Sequence, residues 1–287
     1  LEGTPGQISV TEVACGGGGL PFPALRGDLL PPPPVGRKAA FLQPAKHMDA
    51  FLHSLTTVFN ALPYIAQGAF VTIVMVAGAL SLGFLLGLPL AVAQVYAPRP
   101  VRMVVGLYVW FFRGVPVLLL LFLFYFGLFN VIGLDLGMIG SSCAVLGLAS
   151  AAYQSQIFRG SIQSLPSGQF KAGRALGMTD MQCIRSVVLP QALRISIPAW
   201  SNEYSILLKD SAMCFALGTP EIMARTHFVA SRTYEYLPLY IAAGCIYFLI
   251  TLAGITLLRR LERRVRIPGC AAPDMTGDSA GGMQTGI

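Results

Sequence analysis

The chain has 287 residues, of which 54% are hydrophobic and 11% are charged, and its mean hydropathy is +0.65. Soluble domains contain roughly 25% charged residues, so this composition excludes an ordinary soluble domain and indicates a polytopic membrane protein. The formal net charge of +7 does not indicate a nucleic-acid partner, because the basic residues lie between and after apolar stretches and not among exposed aromatic residues. The six cysteines form no Cys-x-x-Cys pair, so we predict neither a disulfide framework nor a zinc site.

The two ends of the sequence differ in composition from the middle. Residues 1–47 contain runs of glycine and proline without periodicity, and they lack the apolar segment of a signal peptide. We interpret them as a disordered or non-native leader, expect the natural protein to begin at or near Met48, and expect the leader to be dispensable. Residues 48–267 form the predicted transmembrane domain, and residues 268–287 form a predicted disordered tail.

Between these ends, helical patterns follow one another. Apolar residues share one face of 51–62, which predicts an interfacial helix leading into the membrane. Apolar stretches of about 20 residues or more then predict an all-α protein with five transmembrane helices. These spans cover residues 69–95, 115–134, 138–158, 195–217 and 237–258. In the third span, small residues recur at every fourth position, which allows helix backbones to approach closely. They are Cys143, Gly147, Ala151 and Ser155.

Residues 159–194, which we name the central loop, are polar and basic and have the pattern of two short helices. Ser167 is a candidate cap for the first helix, and Gly177 is a candidate left-handed stop. Thr179 and Gln182 have the spacing of a capping box, and Pro190 is expected to end the second helix. An ordinary solvated loop is the alternative, but apolar stripes at helical spacing on both halves favour a docking surface.

Several runs resemble one family in its order. The run FKAGRALG at 170–177, closed by LPQALR at 189–194, resembles the EAA loop of ABC importer permeases, in particular the polar amino-acid uptake group. The runs FRGVP at 112–116, IFRGSIQSLP at 157–166 and LLKDS at 207–211 are similar to further signatures of that family. The resemblance covers roughly residues 51–266. It departs at Lys171-Ala172-Gly173, where the family usually has Glu-Ala-Ala, and at Gln156, where many members have Glu.

The resemblance implies a permease subunit that works with several partners. These are an ABC ATPase subunit beneath the central loop, a second permease copy or a sister permease, an extracytoplasmic solute-binding protein, the amino-acid substrate and the lipid bilayer, without nucleic acid. The implied ATPase-coupling residues are Gln169, Phe170, Lys171, Ala172, Gly173, Arg174, Leu176 and Gly177. Lys171 reverses the usual charge, so either the ATPase has a compensating acid or coupling is weak.

No phosphate loop, zinc-protease motif or nucleophile elbow occurs in the sequence, and we find no catalytic constellation. We therefore expect a transport subunit that is not an enzyme and binds no cofactor, with ATP used by the partner subunit.

The positive-inside rule orients the chain. With the carboxyl end inside, most basic residues face the cytoplasm, including Arg113, the central loop and the arginines that follow the fifth span. Five spans then place the N-terminus outside, and the docking helix between spans 3 and 4 is cytoplasmic. The expected location is the inner membrane of a prokaryotic cell, as a multi-pass protein.

The fourth span is unusually polar for a membrane helix, where charges normally face a partner or an aqueous path. Together with two glutamines of the third span, its polar residues form the candidate substrate path. These residues are Gln154, Gln156, Asn202, Glu203, Ser205, Lys209 and Asp210. The glutamines could equally be interfacial polar groups, and Lys209 with Asp210 could be a structural pair. For Asn202 and Glu203 we favour the path, with Glu203 attracting an ammonium or a cationic side chain.

Two other classes of function agree less well with the sequence. An ion-driven secondary transporter or channel subunit would show repeated halves with paired broken helices, which are not seen in the sequence. A membrane enzyme would show catalytic residues at one depth. The sequence therefore favours an ABC importer permease for polar amino acids, but it does not identify the amino acid.

Overall fold

The computed structural model describes residues 44–265, and every regular element among them is a helix. The α-helices are α1 (Pro44–Tyr96), α2 (Arg99–Gly114), α3 (Val117–Phe122), α4 (Phe129–Val131), α5 (Gly137–Gln163), α6 (Ser167–Ala175), α7 (Asp180–Cys183), α8 (Leu189–Asp210), α9 (Ile222–Thr233) and α10 (Tyr236–Val265). Two π-helical segments, Leu123–Leu128 and Ile184–Val188, and the 3₁₀ segment Ser211–Leu217 connect some of them. The all-α prediction is confirmed for this part of the chain, whereas nearly all of the predicted leader and the whole predicted tail lie outside it.

The first helix is longer than the sequence predicts. The predicted interfacial helix at 51–62 and the predicted first span at 69–95 are one uninterrupted helix, α1, of 53 residues with Pro63 and Pro89 inside it. The early part of α1 packs against protein, because Ala61 and Ile65 are buried against residues of α9 and α10. Tertiary packing therefore continues a helix that the pattern divides in two.

Two helices are long and apolar enough to cross a membrane by themselves, namely Leu52–Tyr96 within α1 and Tyr236–Arg264 within α10. A third candidate is broken, because α2 and the segment Val117–Val131 meet at an angle of 108°. The α5 and α8 helices are more polar, but at 1.5 Å per residue they are about 40 Å and 33 Å long, which is sufficient to cross.

The break after α2 falls where the sequence places it. Val115 is extended, and Pro116 is the N-cap of α3, so the break coincides with the predicted start of the second span. The segment before the break, which none of the predicted spans covers, is an amphipathic helix that buries Val105, Val109 and Phe112.

Close contact between α1 and α5 confirms the role of the small residues. A Cβ added at Gly87 would lie 3.0 Å from the carbonyl oxygen of Ala151, and one added at Gly78 would lie 2.7 Å from the sulfur of Cys143. A Cβ at Gly147 would lie 2.7 Å from Leu82. The two helices run parallel, and the absence of side chains at these positions lets their backbones meet.

The α9 helix is absent from the sequence prediction. Glu221 is its N-cap, and the carboxylate accepts hydrogen bonds from the backbone amides of Met223 at 2.8 Å and Ala224 at 2.6 Å. The Tyr247 hydroxyl of α10 donates to the same carboxylate. Burial raises the pKa of Glu221, while these three donors act in the opposite direction. This carboxyl group therefore ties α9 to α10.

Candidate functional site

The central loop folds as the sequence predicts at its turn. Gly177 has φ +84°, the left-handed conformation that favours glycine. After it, the Thr179 hydroxyl accepts from the Gln182 amide at 3.3 Å, and the Gln182 side chain accepts from the Thr179 amide at 2.8 Å. The capping box is therefore confirmed. An ion pair of 2.5 Å between Arg174 and Asp180 spans the turn.

Two details of the loop differ from the prediction. Ser167 makes no capping hydrogen bond and is the first residue of α6, whose N-cap is Pro166. Pro190 does not end the second helix but lies in the first turn of α8, directly after the π-helical segment Ile184–Val188. Proline is tolerated in the first turn of a helix because the backbone N–H groups of that turn have no partner within the helix, so the N–H that proline lacks is not needed. The helical run from Asp180 to Asp210 is consequently continuous.

The α6 helix has an anchored side and an open side. Phe170 stacks on Tyr96 at the end of α1, with ring centroids 5.7 Å apart and an interplanar angle of 20°. Gly173 is buried, whereas Lys171, Ala172 and Leu176 are exposed, Leu176 at 84%. Phe170 therefore holds the helix to the bundle, and the residues free to contact another subunit are those on the opposite side.

A cavity of about 330 Å³ lies between the end of α1 and the start of α6. Tyr96, Phe170 and Lys171 contribute to its wall, together with the turn that joins α5 to α6. The Gln169 side-chain oxygen is buried without a hydrogen-bond partner among the described residues. The start of α6 is thus incompletely packed against the end of α1.

The predicted path residues separate into a buried and an exposed group. Gln154 is 0% and Glu203 is 3% exposed, and both lie between α5 and α8. Ser150 donates to Glu203 at 2.7 Å, and the Trp200 indole donates to Gln154 at 2.8 Å. The Gln154 amide in turn donates to the Leu80 carbonyl of α1 at 3.1 Å. These groups form one buried polar network that joins three helices.

The other polar residues of α8 occupy a different face. Asn202 and Lys209 are exposed, and Ser205 between them is half-buried. Asp210 is also half-buried, and no ion pair joins it to Lys209 among the residues that the structure describes. The structure therefore brings Asn202, Ser205 and Lys209 onto one open stripe and places Glu203 behind it.

Gln156 lies apart from Gln154, in a cluster closer to the central loop. Its amide donates to the Gln94 side-chain oxygen at 2.9 Å, and Arg159 donates to the same oxygen at 3.3 Å. The amide nitrogen of Gln94 and Nε of Arg159 are buried without a partner in the described part of the chain. Gln94 lies in the predicted first span and is not one of the predicted path residues.

Arg113 makes a contact that the sequence did not predict. Its guanidinium lies 5.1 Å from the centroid of the Tyr153 ring, ten residues before the end of α5 at Gln163. The available signal was a single charged residue two positions before the predicted second span at 115–134.

Residues 79–267 match the family described as the binding-protein-dependent transport system inner membrane component. The matched range is more than half of the 287-residue chain and contains the central loop, the buried network and the open stripe of α8. The chain belongs to this family.

Two permease proteins are among the relatives of this inner membrane component. It is 34% identical over 210 residues to the histidine/lysine/arginine/ornithine transport system permease protein HisM of Salmonella typhimurium, covering 70% of this chain and 89% of the relative. It is 32% identical over 205 residues to the arginine transport system permease protein ArtQ of Bacillus subtilis, covering 71% and 94%. A solved structure, described as the crystal structure of an amino acid ABC transporter with histidines, superposes with a TM-score of 0.65 at 32% identity and covers 72% and 96%.

Packing around Gly173 explains one departure of this inner membrane component from the Glu-Ala-Ala pattern. Gly173 stands at the second alanine position, and a Cβ there would lie 2.8 Å from the Cys183 sulfur and 3.4 Å from the Met178 sulfur. Cys183 is fully buried, so it has little room to move aside. The glycine therefore leaves room for the sulfur atoms of Cys183 in α7 and of Met178 in the turn before it.

Proposed function

We propose that this chain is the membrane-spanning permease subunit of an ATP-driven importer of polar amino acids, located in the inner membrane of a prokaryotic cell. The main supporting observation is the central loop, in which α6 and α7 meet at Gly177 and expose Ala172 and Leu176 in an otherwise polar segment. A surface of this kind serves docking to another subunit. The chain has no phosphate loop, so the ATPase activity belongs to a partner.

We propose five spans, formed by α1, the broken α2–α3 segment, α5, α8 and α10. The parallel packing of α1 and α5, and the antiparallel return of α8, support this order. The arginines near the end of α10 and the basic central loop favour a cytoplasmic C-terminus and an extracytoplasmic N-terminus, even with Arg113 removed from the cytoplasmic count.

The ATPase subunit would contact the open side of α6. Lys171, Ala172 and Leu176 offer a cation and apolar surface, and the exposed Met181 of α7 extends the apolar area. Phe170 and Gly173 would act from behind by holding α6 against α1 and α7. Because α6 is stacked on Tyr96, a movement of the docked ATPase would reach α1 directly.

A second permease copy or a sister permease would cover the open stripe of α8. Exposed Asn202 and Lys209 on a membrane-crossing helix are costly against lipid and are accommodated when they line an aqueous path. We propose that Asn202, Ser205 and Lys209 line this path, with Asp210 at its outer end. An extracytoplasmic solute-binding protein would deliver the amino acid there.

The remaining predicted path residues would act at other depths. Glu203 and Gln154 lie directly behind the stripe, and we propose that the Glu203 carboxylate provides negative charge for an ammonium or a cationic side chain. Gln156, with Gln94 and Arg159, would form the inner end of the path. The names of the relatives HisM and ArtQ support a polar or basic amino acid as substrate.

Docking can be tested by changing Leu176 to aspartate. Leu176 is 84% exposed, so the substitution should not disturb folding, but it places a charge in the proposed apolar contact. We expect the permease to lose copurification with the ATPase encoded beside it. Ser186→Asp places the same charge at an exposed position of the central loop outside the proposed contact and is the control expected to keep the complex.

Transport itself is tested in proteoliposomes that contain the permease, its ATPase and its binding protein. We expect uptake of radiolabelled L-arginine or L-glutamine that requires ATP inside the vesicles. Uptake by the permease alone, driven by a proton or sodium gradient, would instead identify an ion-driven secondary transporter.

A further inference from the structure

The guanidinium of Arg113 forms no ion pair within 4.0 Å and no hydrogen bond with residues 44–265. Arg113 is exposed near the end of α2, directly before the 108° break, and its recorded contact is the Tyr153 ring at 5.1 Å. No carboxylate of the described chain lies within 4.0 Å of it. A cation–π contact uses the face of the guanidinium, so the five N–H donors at its edge remain available.

The depth of this group is unusual for an arginine. Tyr153 lies ten residues before the end of α5 at Gln163 and sixteen after its start at Gly137, or about 15 Å and 24 Å along the helix. The Tyr108 hydroxyl donates to the Leu148 carbonyl at 2.7 Å and fixes α2 against the same part of α5. An ionised side chain at this depth needs water or an anionic partner.

The chain itself does not supply that partner. Glu203 of α8 interacts electrostatically with Arg113, but it forms no ion pair with it, is buried, and accepts a hydrogen bond from Ser150. The Arg113 side chain is itself exposed, so its edge is open to a ligand. A small anion can therefore reach the edge of Arg113 without displacing a side chain.

We propose that Arg113 binds the carboxylate of the transported amino acid and that the Tyr153 ring orients its guanidinium. This assignment rests on the proposed function and extends it. It states that the site within the permease, and not only the binding protein, requires a substrate with a free carboxylate. The edge of a guanidinium matches a carboxylate in a two-point contact, which the point charge of a lysine does not reproduce.

The test measures equilibrium binding to the detergent-purified permease–ATPase complex without the binding protein. The probes are two pairs that differ only in the carboxylate, L-arginine with agmatine and L-glutamine with 4-aminobutanamide. For the wild type, we expect at least one amino acid to bind about tenfold or more tightly than its amine. Arg113→Gln should weaken binding of that amino acid about tenfold to hundredfold, as expected for a lost charge-assisted contact, and leave the amine unchanged.

Two further variants separate recognition from structure. Arg113→Lys should restore part of the preference for the carboxylate, because it keeps the charge. Arg99→Gln removes an exposed arginine from the other end of α2 and should leave all four affinities unchanged. Retained affinity for the amine shows that Arg113→Gln is folded.

The assignment is overturned if wild type binds neither amino acid, if it binds acid and amine equally, if Arg113→Gln keeps the preference, or if that variant weakens acid and amine alike. None of these outcomes affects the importer function, which is decided separately by ATP-dependent uptake in proteoliposomes. Loss of that uptake in the wild type would reject the importer itself.

Discussion

Gly68 of α1 provides the sharpest test of the packing. A Cβ at this position would lie 2.8 Å from the carbonyl carbon of Glu221 and 2.8 Å from the nitrogen of Ile222. Favourable carbon contacts begin near 3.5 Å, so the overlap is about 0.7 Å. The opposing atoms are backbone and cannot rotate away, and Glu221 is also fixed as the cap of α9. Any side chain at this position therefore forces the two backbones apart.

The expected effect of Gly68→Ala follows from two opposing terms. Overpacking costs about 3 kcal/mol at the upper end of its usual range, and replacing glycine by alanine within a helix returns about 1 kcal/mol. The net loss of about 2 kcal/mol corresponds to a fall in Tm of about 4–8 °C for a chain of this size. The assay is thermal unfolding of the purified protein in detergent, followed by fluorescence.

Gly244→Ala is the matched control for this measurement. Gly244 is a helical glycine of α10 at which an added Cβ has nothing within 4 Å, so only the helix-propensity term of about 1 kcal/mol applies. Its Tm should equal or slightly exceed that of the wild type. Equal stability of Gly68→Ala and Gly244→Ala would refute the contact between α1 and the start of α9.

Three further predictions concern the central loop and the path. Gly173→Ala should destabilise the loop because the added Cβ meets the Cys183 sulfur, and Cys183→Ala should remove this clash. In a double-mutant cycle of unfolding, we expect a coupling free energy of about 0.5–3 kcal/mol between the two substitutions. Additive effects would contradict the contact. Gly177→Val should abolish substrate-stimulated ATPase activity, because a branched side chain at φ +84° costs about 1–2 kcal/mol or more. Gly168→Val in the same loop is the control, since Gly168 has open space and no left-handed φ, and it should keep this activity. Normal ATPase stimulation in both variants would reject the docking function of the turn. Glu203→Gln keeps an oxygen for Ser150 and removes the charge, so uptake of L-arginine should fall about tenfold relative to uptake of L-glutamine in assembled complexes; an equal effect on both would make Glu203 structural.

Local chemistry in the sequence was sufficient for several features. Gly177 and the Thr179–Gln182 pair predict the turn of the central loop, since left-handed backbone and capping hydrogen bonds depend on neighbouring residues alone. The predicted start of the second span at residue 115 agrees with the end of α2 at Gly114 and with Pro116 as the N-cap of α3. The small residues of α5 predict close approach to another helix, although they do not say which helix.

Other features depend on contacts between residues far apart in sequence. The pattern divides α1 in two, but burial of Ile65 against α9 and α10 keeps it continuous. Pro190 ends a helix by its local preference, yet the preceding π-helical turn lets the chain continue into α8. The α9 helix itself depends on Glu221, whose cap is supported by Tyr247 of α10.

The candidate path shows the same division. Sequence spacing places Asn202 and Glu203 in adjacent sectors of one polar helix, and it determines that α8 is amphipathic. Only the packing of α5 decides that Glu203 faces Ser150 inside the bundle while Asn202 remains open. For Arg113, the sequence shows only a basic residue near a turn. Its contact with Tyr153 depends on the packing of α2 against the middle of α5. Helical periodicity defines the faces of each helix, but which neighbour covers a face is decided by long-range packing.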